Sequence, residues 1–170
     1  MKWGKLVVCF GAAVLVSTSA AARDSSSSFK DNAGLTPQTR FVVGEITSDV
    51  EIPPNVDYKT IWPKELTERL VERKILAEPG DPNAVTIKAR ITQYEEGNAW
   101  ARWGTFGQAM KTKLTVVATY LRNGEEIGTA DAHKTVSQGG LFTINGWEYI
   151  YENVAEAIVF EAEKKMGTDD

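Results

Sequence analysis

TKLTVVATYLRNGEEIGTADAHKTV, residues 112–136, is the stretch that decides the fold. Two segments rich in β-branched residues flank the dipeptide Asn123-Gly124. Asn-Gly readily adopts the positive φ angles that a two-residue type I′ turn requires. The stretch therefore predicts a β-hairpin of two antiparallel strands, with Asn123 and Gly124 as its structural turn residues.

Two further strands are predicted upstream of this hairpin. FVVGEITSDVEI, residues 41–52, is rich in β-branched residues and is ended by two prolines. In VTIKARITQY, residues 85–94, apolar side chains alternate with Thr, Lys and Arg. That alternation predicts a strand with one buried face and one face in water.

Two helices are predicted from apolar residues at helical spacing. The first has Pro63 in its expected first turn and ends before EPGDP, with an apolar stripe through Trp62, Leu66 and Leu70. The second is expected to begin at Asn145, with Glu148 three residues later as in a capping box. Its apolar stripe is Trp147, Ile150 or Tyr151, Val154, Ile158 and Ala162, and Gly167 closes it.

The predicted order is β-α-β-β-β-α, which belongs to the α+β class. A right-handed crossover makes the first two strands parallel. Both helices must then cover the apolar face of a four-stranded mixed sheet, as in a two-layer sandwich. The other face, rich in Thr, Lys and Arg, is expected to lie in water.

Strand direction brings two aromatic, glycine-rich segments to the same end of the predicted sheet. GNAWARWGTFG, residues 97–107, follows the second strand, and GGLFTINGWEY, residues 139–149, follows the fourth. The expected binding residues are Trp100, Arg102, Trp103, Phe106 and Phe142. The residues expected to shape or anchor these loops are Gly97, Asn98, Gly139, Gly140 and Trp147.

Two interpretations of these aromatic rings stay open. They either cap the open end of the sandwich, where each fully buried ring stabilises the fold by roughly 1.5–3 kcal/mol, or remain exposed as a binding surface. Trp, Tyr and Arg are frequent anchors of protein interfaces, and Trp also favours the membrane interface.

The amino-terminal residues 1–22 have the composition of a secretory signal peptide. Lys2 and Lys5 precede an apolar run of about eleven residues, well short of the roughly 20 that span a bilayer. Cleavage is expected near Ala22, which predicts export to the periplasm or outer envelope of a bacterium. Residues 23–40 are expected to be a flexible tether, residues 41–167 one domain, and residues 168–170 a tail.

Charge and cysteine content narrow the function classes. The full sequence has 19 basic and 23 acidic residues, and cleavage removes two of the basic residues, Lys2 and Lys5. The mature charge of about −6 is unfavourable for binding nucleic acid. The only cysteine, Cys9, lies inside the apolar run. The mature chain therefore has no disulfide, and Cys9 lacks the lipobox context of a lipidated residue.

Catalytic and metal-binding patterns are weak. His133, the only histidine, lies two residues from Asp131, so both are expected on the wet face of one strand. No G-x-S-x-G motif and no mature cysteine supply a nucleophile. The adjacent glutamate pairs lack the spacing of zinc or calcium sites. No catalytic residue, metal or cofactor is predicted.

A family resemblance adds to these patterns. ITQYEEGNAWARWGTFGQA, the Asn-Gly hairpin and the later GG-x-F-x-x-x-x-W pattern resemble the bacterial domain of unknown function number 4410 over about residues 40–166. Its most specific positions here are Tyr94, Gly97, Asn98, Arg102 and Gly139-Gly140. The resemblance implies a small exported or lipid-anchored envelope protein without an assigned activity.

The sequence thus predicts a non-enzymatic envelope protein that binds a protein partner, or itself, through the aromatic loop surface. Contact with a membrane interface is compatible with the same tryptophans. The alternative is a small-ligand-binding protein or a hydrolase with a site at the same loop end. Exposed aromatic rings favour the first prediction, and polar groups converging on a pocket favour the second.

Overall fold

The computed structural model of the chain describes residues 24–54, 56–95, 111–137 and 148–167. Its strands and helices follow the predicted order β-α-β-β-β-α, with one additional strand before the first predicted strand. They are β1 Ser25–Phe29, β2 Phe41–Ser48, α1 Tyr58–Glu72, β3 Val85–Glu95, β4 Lys111–Arg122, β5 Glu125–Ser137 and α2 Glu148–Met166.

The five strands form one mixed sheet in the order β1-β5-β4-β3-β2. β2 runs parallel to β3, as the crossover through α1 predicts, and the other neighbours are antiparallel. Bulges or irregularities interrupt the pairing between Val43 and Ile46, between Ile91 and Gln93, and between Tyr120 and Leu121. The predicted α+β class and the mixed sheet are confirmed.

The predicted count of four strands is wrong, because part of the expected tether at residues 23–40 is a strand. β1 pairs antiparallel with β5, from Ser25 opposite Ala132 to Phe29 opposite Gly128. The Phe29 ring lies 4.9 Å from the ring of Tyr120, and Ala33 just beyond β1 is fully buried. These contacts compensate for a serine-rich sequence that has little β propensity of its own.

The turn between β4 and β5 has the predicted geometry. Asn123 has φ 53° and Gly124 has φ 82°, so both central residues are left-handed. Primed turns match the right-handed twist of the flanking strands, which explains why this dipeptide fixes the hairpin register.

Both helices cover one face of the sheet and share its core. Alternate residues of β3 and β4 face the helices, and the largest fully buried members of this core include Trp62, Leu66, Ile87, Ile91, Leu114, Tyr120, Tyr151 and Ile158. Residues of the opposite register, such as Lys88 and Arg90, are exposed. The sheet is therefore packed on one side and open on the other.

α1 begins earlier than the sequence predicts. Asp57 caps the helix, and its Oδ1 accepts a hydrogen bond from the Thr60 backbone N–H at 3.3 Å. Pro63 consequently lies inside the helix and not in its first turn, at the cost of one backbone hydrogen bond. α2 ends at Gly167, with φ 73°, while the predicted cap Asn145 lies outside the described residues.

Candidate functional site

The predicted binding loops begin and end at neighbouring positions of the sheet. Glu95, the last residue of β3, pairs with Lys113 of β4, and Lys113 pairs with Thr135 of β5. Lys111, which begins β4, pairs with Ser137, which ends β5. The flanks of residues 96–110 and 138–147 therefore lie at one end of the sheet, which we call the loop end.

The loop residues themselves lie outside the part of the chain that the structure describes. This applies to the expected binding residues Trp100, Arg102, Trp103, Phe106 and Phe142. It also applies to the expected structural residues Gly97, Asn98, Gly139, Gly140 and Trp147. Their exposure stays a prediction, and the described surroundings supply the chemistry of the site.

The segment after β2 reaches the same end, as the parallel pairing with β3 requires. The Asp49 backbone N–H donates to the Ile91 carbonyl at 2.9 Å, which continues the alignment beyond β2. Pro53 and Pro54 follow and lead into α1. Three connections are thus based at the loop end, as the strand directions predict.

An aromatic cluster lies on the helix side of the loop end. The rings of Trp62 and Tyr151 meet edge to face at 5.5 Å, and both side chains are fully buried. Burial raises the pKa of Tyr151 far above its ordinary range, with smaller contributions from Tyr94 and Tyr58. Part of the aromatic content of this end is therefore core, contributed by helix and strand residues.

A polar row lies on the open face of the sheet beside the same end. Three register partners on adjacent strands form it: His133 on β5, Thr115 on β4 and Gln93 on β3. His133 Nδ1 and Thr115 Oγ1 are 2.8 Å apart, and Thr115 Oγ1 donates to Gln93 Oε1 at 3.2 Å.

The row continues through a carboxylate and a cation. Gln93 Nε2 donates to Glu95 Oε1 at 2.7 Å, and Lys113 Nζ lies 2.7 Å from Glu95 Oε2. The Lys113 hydrogen bond, followed by that from Gln93, lowers the pKa of the Glu95 carboxyl. Glu95 consequently remains ionised at neutral pH and balances Lys113.

His133 is thus positioned by a threonine and not by Asp131. The two residues share the open face, as predicted, with Asp131 opposite Val117 and His133 opposite Thr115. Alternation along β5 predicted the common face of Asp131 and His133. The pairing of Thr115 with Gln93 depends on the bulge in β3, which no local sequence pattern predicted. The arrangement can donate and accept hydrogen bonds at a surface.

The open face also has a shallow depression of about 390 Å³. Lys88 and Arg90 line it, with Val117 and Leu121 at its floor. Arg90 Nη1 lies 2.8 Å from Asp49 Oδ2, and Lys88 Nζ lies 3.9 Å from Glu45 Oε2. Both cations are thus matched by carboxylates of the β2 region.

The described ranges contain neither a metal-binding cluster nor a membrane-spanning helix. Within residues 24–54, 56–95, 111–137 and 148–167, no three His, Cys, Asp or Glu side chains are grouped closely enough to hold a metal ion. Neither helix of these ranges combines the length and apolar character needed to cross a bilayer.

Solved structures share this fold at low sequence identity. The PelC dodecamer from Paraburkholderia phytofirmans is 12% identical, with a TM-score of 0.50 over 81% of this chain and 96% of that chain. A Caulobacter crescentus CB15 protein assigned as a lipoprotein is 14% identical, with a TM-score of 0.38 over 72% of this chain and 88% of that chain. A minor lipoprotein from Acinetobacter baumannii is 16% identical, with a TM-score of 0.30 over 75% and 91% of the two chains.

The comparisons define a fold class and not a family. No protein-family model matches this chain, and no curated protein matches it. The likeness to domain of unknown function number 4410 therefore remains a sequence resemblance. The chain is an α+β domain with a helix-covered sheet, a fold similar to that of PelC.

Proposed function

We propose that the mature protein is a non-enzymatic component of a bacterial cell envelope that binds a protein, in the first instance a second copy of itself, through the loop end. One observation carries this proposal. The pairings of Glu95 with Lys113 and of Lys111 with Ser137 bring the flanks of both aromatic segments to one end of the sheet. A binding surface built from two such loops needs a common base.

The composition of the two loops fits a protein interface. Interface hot spots are enriched in Trp, Tyr and Arg and cluster near the centre of a contact. The segment 96–110 contains Trp100, Arg102 and Trp103, and the segment 138–147 contains Phe142. The rings of Trp62 and Tyr151 are buried on the helix side of the same end.

Self-association draws support from a solved structure with a similar fold. The PelC structure with a TM-score of 0.50 is a dodecamer. An envelope location is supported by the signal-peptide pattern of residues 1–22. Intact-mass measurement of exported protein should give an amino terminus near Arg23. Recovery of the full-length chain from cytoplasm alone would contradict export.

The association is tested with the mature chain and single substitutions in the loops. Light scattering and sedimentation measure its assembly state, and a photo-crosslinker at position 103 captures the contact in cells. Trp100→Ala or Trp103→Ala should weaken the complex by about 2 kcal/mol or more, which is roughly 30-fold in Kd. Arg102→Ala should act in the same direction if it pairs or stacks across the contact.

Val71→Ala is the control, because Val71 is an exposed apolar side chain, 55% accessible, in the last turn of α1, and α1 begins at the loop end and runs away from it. This substitution should leave assembly unchanged. The free energy of unfolding of the Trp variants should stay within about 1 kcal/mol of the parent. If Trp100→Ala and Trp103→Ala both unfold the protein, the rings are core and the proposal is wrong.

A ligand-binding or hydrolytic site at the same end is the second candidate, because His133 Nδ1 lies 2.8 Å from Thr115 Oγ1. A histidine can activate a hydroxyl as a nucleophile when the hydroxyl proton points to the imidazole, so this role requires Thr115 to turn its proton from Gln93 to His133. His133→Gln separates the two functions. It should abolish hydrolysis if the site is catalytic and leave association unchanged if the aromatic loops bind a protein.

A further inference from the structure

A polar cleft lies at the opposite end of the sheet from the loops. The hairpin turn at Asn123, the segment before β2 and the segment before β3 meet there and enclose about 330 Å³. All lining residues are polar or glycine, and they include Thr36, Arg40, Asp81, Asn83, Arg122 and Asn123. This cleft is separate from the loop end, so the inference does not depend on the proposed function.

Two arginines in the cleft lack carboxylate partners. Among the residues that the structure describes, Arg69, Arg73 and Arg90 form ion pairs with acidic side chains. Arg40 and Arg122 instead donate only to backbone carbonyls. Although the chain as a whole is acidic, two guanidinium charges therefore face one cleft, and neither forms an ion pair with a carboxylate that the structure describes.

Both guanidinium groups are held by the backbone on one side. Arg122 Nη1 donates to the Ala33 carbonyl at 2.7 Å, and its Nη2 donates to the Gly34 carbonyl at 3.2 Å. Gly34 has φ 61°, which favours glycine, and a Cβ there would lie 2.8 Å from Arg122 Nη1 and would displace the guanidinium group.

Arg40 is fixed in a similar way by its own turn. Its Nη1 donates to the Pro37 carbonyl at 3.2 Å and to the Thr39 carbonyl at 3.0 Å. Its Nε and Nη2 make no hydrogen bond within the described part of the chain, and the same holds for Nε of Arg122. Donors that are already oriented lose less entropy when a ligand binds.

The remaining lining groups favour a ligand that also has hydroxyl groups. Asp81 is the one carboxylate in the cleft lining, and its Oδ1 accepts the Asn83 backbone N–H at 2.8 Å. With Arg40 and Arg122 the cleft keeps one net positive charge. The amides of Asn83 and Asn123 and the hydroxyl of Thr36 can donate and accept hydrogen bonds.

We propose that this cleft binds an oxyanion, a phosphate or carboxylate group, carried by a small hydroxyl-rich molecule. The guanidinium forks hold the oxyanion through charge-assisted hydrogen bonds. The amides, Thr36 and the second oxygen of Asp81 bind the hydroxyl groups. The volume suits a ligand of about the size of one sugar ring.

The binding test uses the mature chain and four probes: inorganic phosphate, glucose 6-phosphate, glucuronate and glucose. Arginine Nε–H resonances of Arg40 and Arg122 should shift with both anionic sugars and not with neutral glucose. Tighter binding of glucose 6-phosphate assigns the oxyanion as phosphate, and tighter binding of glucuronate assigns it as carboxylate. Unchanged resonances with both anionic sugars at about 10 mM, far above a useful Kd, would overturn the site.

Inorganic phosphate tests the part of the proposal that concerns hydroxyl groups. It should bind at least several-fold more weakly than the better anionic sugar. Equal affinity would remove the role assigned to Asp81, Thr36 and the two amides.

Charge-matched variants locate the binding. Arg40→Gln should weaken the better anionic sugar about tenfold or more, since it removes a charge-assisted donor pair. Asp81→Asn should tighten the binding of inorganic phosphate several-fold, because it removes the opposing charge. Arg90→Gln makes the same charge change on the open face and should leave Kd within twofold.

Two outcomes would refute this location. One is an equal loss of affinity in Arg40→Gln and Arg90→Gln, which would indicate a general charge effect. The other is weaker phosphate binding in Asp81→Asn. The Asp81→Asn result decides the matter if Arg40→Gln fails to fold, because Arg40 also holds its own turn.

Discussion

Ser27 on β1 donates a hydrogen bond from its hydroxyl to Glu161 Oε2 on α2 at 2.7 Å. Ser25 donates to the other carboxylate oxygen, Oε1, at 2.9 Å. Glu161 is 3% exposed, so this carboxylate is buried and accepts both bonds from the edge strand. The first strand and the last helix are therefore connected through one acidic side chain.

Removing that carboxylate should release β1. We expect Glu161→Ala to lower the free energy of unfolding by about 2–3 kcal/mol, because two hydrogen bonds to a charged group are lost and two hydroxyls lose their acceptor. The backbone amides of residues 25–29 should lose protection from hydrogen exchange. Denaturant unfolding and exchange mass spectrometry measure the two effects.

Glu68→Ala is the matched control for this substitution. Glu68 is on α1, its side chain is 53% exposed, and it pairs with Lys64 at 3.6 Å. Its loss should change stability by less than about 0.5 kcal/mol. Full exchange protection of residues 25–29 in Glu161→Ala would show that backbone pairing alone holds β1.

Alkaline pH should destabilise the fold through its buried tyrosines. Burial, and then the Glu161 charge, raise the pKa of Tyr120 far above its ordinary range, and burial also raises that of Tyr151. The unfolded chain releases these protons near pH 10 while the folded chain retains them. The stabilisation is therefore complete below about pH 10 and decreases above it, by about 1.4 kcal/mol per pH unit for each tyrosine.

Tyr120→Phe tests this pH dependence. Urea midpoints between pH 9 and 12 should decrease less steeply in the variant, by the contribution of one tyrosine. The substitution also removes the bond from Tyr120 Oη to the Ile158 carbonyl at 2.7 Å, which should cost about 1 kcal/mol at neutral pH. The exposed Tyr149→Phe should reproduce the parent slope. Parallel slopes in Tyr120→Phe and the parent would contradict the assignment.

A substitution at Gly124 in the hairpin turn should lower stability through backbone strain and not through a steric clash. Gly124 has φ 82°, and a Cβ there would have no heavy atom within 4 Å. Gly124→Val should nevertheless destabilise the protein by more than about 1 kcal/mol, because β-branched residues disfavour positive φ. Glu125→Val adds the same side chain at the next, exposed position and should cost less. A midpoint unchanged by Gly124→Val would contradict the turn assignment.

A salt bridge between the helices should contribute modestly and depend on ionic strength. Arg69 Nη1 lies 2.6 Å from Glu72 Oε2 and Nη2 lies 2.5 Å from Glu152 Oε1, which joins α1 to α2. Arg69→Gln should lower stability by about 1 kcal/mol at low salt, and by less at 1 M NaCl because the partners are partly exposed. Lys64→Gln, which loses the exposed pairs with Glu65 and Glu68 within α1, should cost under about 0.5 kcal/mol. A salt-independent cost would assign the effect to packing of the arginine stem.

The site could be predicted in outline and not in detail. Strand direction predicted that the flanks of both aromatic segments share an end, and the pairings of Glu95 and Lys111 confirm that placement. Two other features were missed. The row from His133 to Gln93 depends on a bulge in β3, and the Arg40–Arg122 cleft joins residues that only the fold brings together.

The sequence alone determined what local periodicity and turn chemistry can specify. Asn123-Gly124 set the hairpin, alternation in β3 set its buried face, and helical spacing set the buried side of α1. These patterns act within a few residues, so they can be interpreted without knowing the fold.

Tertiary structure alone decided the identity of the fifth strand. SSSSF has little strand propensity and few apolar side chains, and it follows a segment expected to be removed. It becomes β1 because β5 offers an open edge, Tyr120 packs against Phe29, and the Glu161 carboxylate accepts its hydroxyl groups. Contacts across more than 130 residues, 134 between Ser27 and Glu161, override local preference there, since the free energy of a strand comes mostly from its neighbours.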